Sequence, residues 1–111
     1  MKKLIVICVI ALIVFSCKKA DDDNIQPKAY FTCPSEAVVG HKVMFNASES
    51  IDESGEIIRY SWNFGDGTTQ DIIISQIGYI YSETGIYYVE LRVFDVKNWS
   101  SSYSKYIIIR K

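Results

Sequence analysis

The chain has 111 residues, 12 of them basic and 13 acidic, for a formal net charge of −1 at pH 7. That balance excludes a nucleic-acid binder, which needs a basic face to meet phosphates, and it is not acidic enough for a disordered chain. One domain's worth of length, with eight tyrosines, two tryptophans and five phenylalanines, supplies ample material for a compact β core.

The N-terminus is a separate object. Met1-Lys2-Lys3 is a short basic start, and Leu4 to Phe15 is an unbroken apolar run. As a helix that run spans roughly 18 Å at about 1.5 Å per residue, short of the ~30 Å hydrocarbon core, so it fits the apolar region of a secretory signal. Val14-Phe15-Ser16-Cys17 resembles the lipobox of bacterial lipoproteins. The resemblance implies cleavage after Ser16 and lipidation of Cys17, and acyl chains at ~0.8 kcal/mol per buried CH₂ anchor a protein firmly. Loss of Lys2 and Lys3 leaves ten basic against thirteen acidic groups, a mature charge of −3. Lys18-Lys19-Ala20-Asp21-Asp22-Asp23-Asn24 resembles the surface-export signals of some Gram-negative lipoproteins; a merely solvated tether is the alternative. The expected organisation is a signal peptide over 1–16, a lipidated cysteine and flexible acidic tether over 17–27, and one domain over 28–111.

The domain reads as short strands punctuated by turns. Ala29 to Cys33 is the first expected strand, ended by Pro34, and His41 to Asn46 is the second. Ile57 to Phe64 follows, with Ile58, Tyr60, Trp62 and Phe64 on one face, and it breaks into Gly65-Asp66-Gly67, where two glycines permit positive φ and an aspartate can bond its own backbone. Gln70 to Ser75 and Gly78 to Tyr81 are weaker strands. Ile86 to Asp95 is the clearest, with Tyr87, Val89, Leu91 and Val93 facing inward, and Tyr103 to Arg110 closes the domain. Seven strands without helical periodicity predict an all-β, immunoglobulin-like sandwich. Cys33 is left unpaired once Cys8 departs and Cys17 is lipidated; among Tyr30 and Phe31 it reads as a small buried hydrophobe, with a reactive thiol as the alternative.

Two motifs carry a family resemblance. Gly40-x-x-Val43-x-Phe45-x-Ala47-Ser48-x-Ser50-x-Asp52-x-x-Gly55-x-Ile57-x-x-Tyr60-x-Trp62-x-Phe64-Gly65-Asp66-Gly67 is similar to the PKD (polycystic kidney disease) domain, as is Tyr81-Ser82-x-x-Gly85-x-Tyr87-x-Val89-x-Leu91-x-Val93-x-Asp95. The resemblance covers about residues 28–110 and implies a seven-stranded β-sandwich used outside the cell for adhesion, spacing or weak polymer contact, without catalysis. The motif residues have structural readings of their own. Trp62 is the expected inter-sheet core aromatic with Phe64 beside it, Asp66 is expected to fix the turn between Gly65 and Gly67, Gly85 to allow entry into the long strand, and Tyr87 to act as a tyrosine corner.

Some PKD domains bind calcium near the Asn46–Gly55 loop, which makes Asp52 and Glu53 the implied ligand positions. Calcium wants six to eight oxygens, so two carboxylates predict a weak site at best, and a solvated turn is the plainer reading. Exposed aromatics are the other candidate: Tyr88 and Phe94 on the outward face of one strand, Trp99 in the last turn, and Tyr106. Such residues stack on sugar rings or pack on proteins, although cross-strand pairing accounts for them equally well. Asn98-Trp99-Ser100 forms a glycosylation sequon, read as accidental in a bacterial lipoprotein. His41 is the only histidine, and no nucleophile pattern, phosphate loop or His/Cys cluster surrounds it. The expected protein is therefore a non-catalytic, lipid-anchored module, exposed on the outer membrane, that binds or adheres to proteins or polysaccharides. It needs no cofactor beyond weak calcium; the alternatives are an accessory glycan-binding lipoprotein and a structural spacer.

Overall fold

The computed structural model describes residues 25–111; the apolar N-terminal run and Cys17 lie outside the described residues. The elements are β1 (Glu36–Val38), β2 (Lys42–Asn46), β3 (Ile57–Asn63), β4 (Thr69–Ile72), β5 (Gln76–Ile80), β6 (Gly85–Asp95) and β7 (Ser100–Arg110). Five of them form one sheet in the order β1-β7-β6-β3-β4, and β2 and β5 form the second. All pairings are antiparallel except β1 on β7, which is parallel. The fold is thus the all-β sandwich that the alternation predicts.

The period-2 pattern of β6 does most of the organising. Val89, Leu91 and Val93 are fully buried and Tyr87 packs against the same core, while Tyr88 and Arg92 face solvent. Opposite them the second sheet supplies Val43 and Phe45. Trp62 fills the space between the sheets, its ring centroid 5.1 Å from Phe31, 5.6 Å from Phe45 and 6.1 Å from Phe64. Its indole N–H is buried with no hydrogen-bond partner, a cost of about 1–3 kcal/mol that the apolar area of the ring offsets.

Three expectations are corrected by the register. The Ala29–Cys33 segment is extended but is not a strand. It makes single bridges, Lys28 to Ile51 and Thr32 to Asn46, and only after Pro34 does the chain pair with β7 as β1. Proline has no N–H for a ladder, and it stands where the chain changes from one sheet to the other. Ile58 does not share the inner face with Tyr60 and Trp62: it is 43% exposed, because β3 bulges between Ile57 and Arg59 against β6, and an extra residue reverses the facing of what precedes it. The Gln70–Ser75 strand ends at Ile72, leaving Ile73 and Ile74 79% and 64% exposed in the connection to β5.

The β6–β7 hairpin is closed by a buried carboxylate. Asp95 Oδ1 accepts the backbone N–H groups of Lys97 and Trp99, both at 2.9 Å. Asn98 between them takes a φ of 67°, the left-handed conformation that asparagine tolerates better than most residues.

Candidate binding surfaces

At the end of the sandwich formed by the β3–β4 turn, Gly65 and Gly67 have φ of 88° and 94°. A Cβ on Gly65 would lie 2.5 Å from the Tyr88 carbonyl oxygen, whereas one on Gly67 would meet open space. The first glycine thus serves close packing on β6 and the second serves only the turn. Asp66 Oδ1 accepts the Thr68 N–H at 3.1 Å, and Asp66 Oδ2 accepts the Tyr79 hydroxyl. Tyr79 stacks on Phe64 at 4.0 Å. Tyr81 donates to the Phe64 carbonyl at 2.7 Å, and Tyr87 donates to the Glu83 carbonyl at 2.8 Å, a hydroxyl reaching back to backbone four residues upstream as in a tyrosine corner. Burial, followed by the nearby Asp66 charge, raises the Tyr81 pKa well above its ordinary value. Tyr79 moves the same way, from burial first and then from its bond to Asp66. Both hydroxyls therefore stay protonated donors, and the arrangement is a structural lock rather than an acid–base pair.

At the opposite end, Asp52 Oδ1 accepts the N–H of Ser54 at 3.1 Å and its hydroxyl at 3.0 Å. Asp52 Oδ2 is buried and has no hydrogen-bond partner, the one feature of this loop that suits a cation. Glu53 is exposed, and among the described residues no group of three or more His, Cys, Asp or Glu side chains converges as a metal site would require. The chain enters beside this loop, where the Ser54 hydroxyl reaches the Ile25 carbonyl at 3.4 Å.

The predicted aromatic residues do not form one platform. Tyr88 and Tyr106 are direct cross-strand neighbours, 68% and 53% exposed, with ring centroids 5.9 Å apart and planes at 61°. Phe94 pairs with Ser100, six residues further along β6, or about 20 Å away at ~3.4 Å per residue. It is half-buried beneath the Arg59 guanidinium, 3.7 Å from the ring centroid. Trp99 is half-buried in the hairpin turn. Alternation puts Arg59 on the outer face with Ser61 and Asn63, but its place opposite Phe94 depends on the β3–β6 register, which the sequence does not show; the pairing of Tyr88 with Tyr106 likewise follows from register. Between the tyrosine pair and Phe94 the outer face is polar. Its rows pair Glu90 with Ser104 and Arg92 with Ser102, and Ser61 donates to Asp71 at 2.6 Å.

Cys33 is half-buried; desolvation raises its pKa, with Lys105 partly opposing, which disfavours the thiolate. His41 is exposed on a turn.

Comparison with known proteins accords with this geometry. Residues 24–109 match a family model described as PKD domain. The chain is 37% identical over 84 residues to Collagenase ColA of Clostridium perfringens and 32% identical over 78 residues to Collagenase ColA of Bacillus cereus, alignments that span 76% and 70% of this chain but only 7% and 8% of those proteins. Among solved structures, the PKD1 domain of the Vibrio cholerae metalloprotease PrtV superposes with a TM-score of 0.67 at 32% identity, over 78% of this chain and all of that one. A chain solved in work on carbohydrate-binding modules of the β-sandwich superfamily superposes with a TM-score of 0.77 at 43% identity, over 79% of this chain and 36% of that one.

Proposed function

The chain belongs to the PKD-domain family, and on that premise we propose that it is a non-catalytic extracellular binding module, held on the outer membrane through a lipid on Cys17 and displayed at the cell surface. The observation that carries the binding role is the exposed Tyr88–Tyr106 pair at one end of a serine-rich, charge-studded sheet face. Aromatic rings beside hydroxyl and charged groups suit a sugar polymer, which presents apolar ring faces and hydroxyls together. The glycan version gains weight from the likeness to a chain studied among carbohydrate-binding modules. The collagenase relatives, named for a protein substrate, support a protein polymer as the second reading. Phe94 and Trp99 contribute through the fold of the far end rather than as stacking surface.

Affinity electrophoresis of residues 25–111 through polysaccharide-containing gels, with a collagen-coated surface in parallel, tests the reading. Retardation that disappears in Tyr88→Ala and Tyr106→Ala supports it. Equal mobility in every polysaccharide, with no collagen retention, leaves a spacer as the function. For the anchor, metabolic labelling with a fatty-acid analogue is expected to mark the wild type and not Cys17→Ala; label persisting in the mutant refutes lipidation there.

A further inference from the structure

β7 forms an open edge of the five-stranded sheet along most of its length. It spans Ser100–Arg110, yet β1 covers only Ile108 to Arg110. In a strand, the N–H and C=O of one residue point to the same side in the plane of the sheet, and those of the next residue point to the other side. The covered end fixes which residues face outward: Ile108 N–H donates to the Ser35 carbonyl at 3.0 Å, and the Arg110 carbonyl accepts from Val39 N–H at 2.9 Å. Counting back in twos, Tyr106, Ser104 and Ser102 present their backbone groups on the same side, away from β6. Among the described residues no strand pairs with them there, and all three are exposed.

The rest of the chain passes this edge without closing it. Ala29 N–H bonds the Ser101 side chain at 3.0 Å, Thr32 then turns to Asn46 of the other sheet, and contact with the β7 backbone resumes only at Ser35. Two surface grooves lie in the gap, one against Ser101 and Ser102, the other against Ser104, Lys105 and Tyr106.

We propose that the Ser102–Tyr106 edge takes up an extended segment of a partner polypeptide as an added strand in line with β1, with an acidic side chain of that segment facing Lys105. Three residues, each offering one N–H and one C=O, recur every ~6.8 Å, the spacing at which an extended peptide backbone presents its own N–H and C=O groups. Lys105 supplies the charge preference. It lies on the inner side of the strand in register with Val89, its ammonium 6.0 Å from the Phe31 ring, and an inward-pointing charge on an edge strand discourages indiscriminate pairing. It also disfavours a second copy of this chain. Antiparallel self-pairing about Ser104 would set the two Lys105 side chains on one face as diagonal neighbours, within reach of like-charge repulsion. Main-chain bonds then give affinity, and the lysine selects the guest. The edge uses the backbone of Tyr106, whereas the Tyr88–Tyr106 face uses its ring.

The test uses residues 25–111, which contain every strand of the sandwich and correspond to a PKD1 domain solved as an isolated unit. A random dodecapeptide phage library is panned on this domain, and recovered peptides are synthesised and titrated against the wild type, Ser104→Pro and Tyr88→Ala. Proline at an edge position whose N–H has no partner is tolerated by the fold and blocks the added strand. The expected result is a set of acidic peptides whose affinity falls at least tenfold on Ser104→Pro and is unchanged on Tyr88→Ala. Amide hydrogen exchange keeps the proposal falsifiable should Ser104→Pro unfold. The Ser102, Ser104 and Tyr106 amides of the free wild type should exchange fast and become protected on addition of the selected peptide. Slow exchange at these amides in the free monomer, failure to recover any peptide sensitive to Ser104→Pro, or a concentration-dependent dimer that protects the same amides would each overturn it.

Discussion

At the end of the sandwich built by the Gly65–Gly67 turn, both carboxylate oxygens of Asp66 and the hydroxyls of Tyr79, Tyr81 and Tyr87 all have partners. At the end where the chain enters, Asp52 keeps one buried oxygen unpartnered. The same strand, β3, runs from one end to the other. A folded chain tolerates few unsatisfied buried groups, so the first end is built to hold the sheets in register and the second retains unused chemical capacity. Binding chemistry is to be sought outside the locked turn itself: on the outer sheet face, whose Tyr88 backs onto Gly65, along the open edge or at the entry loops.

Trp62→Ala, which empties the space between the two ends, should cost the most, about 3–5 kcal/mol for a large buried aromatic. Against a total stability of perhaps 5–10 kcal/mol for a domain of this size, chemical denaturation should find the variant largely unfolded. An unchanged midpoint would move Trp62 out of the core and invalidate the comparison altogether.

Within the locked end, Gly65→Ala and Gly67→Ala separate packing from turn geometry. Both have positive φ, which costs a side chain about 1–2 kcal/mol, but only Gly65 would drive a Cβ into the backbone of Tyr88. We expect roughly 2–4 kcal/mol at Gly65 and about 1 kcal/mol at Gly67. Equal melting temperatures for the two variants would show that β6 yields and that this end is less rigid than its contacts imply.

The tyrosine lock has a pH signature. Tyr81 and Tyr79 have pKa values raised from 10.0 in the native state. The native state therefore holds protons that the unfolded chain has released, and stability falls where pH climbs through that window. The contribution is intact below about pH 10 and is lost above it. Tyr81→Phe should cost about 1 kcal/mol near neutrality through the lost bond to Phe64, and it should flatten the alkaline decline measured by denaturant titration between pH 8 and 11. A wild-type profile with no alkaline decline would mean that these hydroxyls are not desolvated.

The smallest effect belongs to the open end. With only Asp52 Oδ2 unpartnered, calcium binding is expected in the millimolar range of extracellular modules. One equivalent of the dissociation constant stabilises a domain by about 0.4 kcal/mol. Melting the domain with chelator and then with millimolar calcium measures it. A gain approaching 3 kcal/mol, absent in Asp52→Asn, would make this end a true metal site and invert the contrast between the two ends.

The sandwich was legible in the sequence wherever a strand obeys one period throughout. Val89, Leu91 and Val93 alternate without interruption, and Trp62 stands two residues from Phe64, so burial follows from spacing. Ile58 was misplaced because a bulge leaves no mark in composition; it is a decision of the backbone about register. The residues of the Ala29–Cys33 segment suit a strand, but strand identity depends on a neighbour, and here the neighbours change at Pro34. The candidate surfaces were legible only in part. Tyr88 faces outward as alternation requires, whereas Phe94 shares its parity and is covered by Arg59, its direct cross-strand partner, a contact set by the β3–β6 register. The Asp52 oxygen and the open stretch of β7 depend on what fails to approach them, which no local pattern encodes.

An anchor on the N-terminal side, as proposed, would load this domain along a defined line. Ile25 lies beside Ser54, near the start of β7, and Arg110 lies at the far end of β7, while β1 runs parallel to β7. Pulling the entry segment against a ligand seated on β6 and β7 would first load the bridges from Lys28 to Ile51 and from Thr32 to Asn46. Past them it would slide β1 lengthwise along its neighbour, so that the bonds from Ser35 to Val39 share the load. A short strand of three residues thereby acts as a shear clasp behind those two bridges.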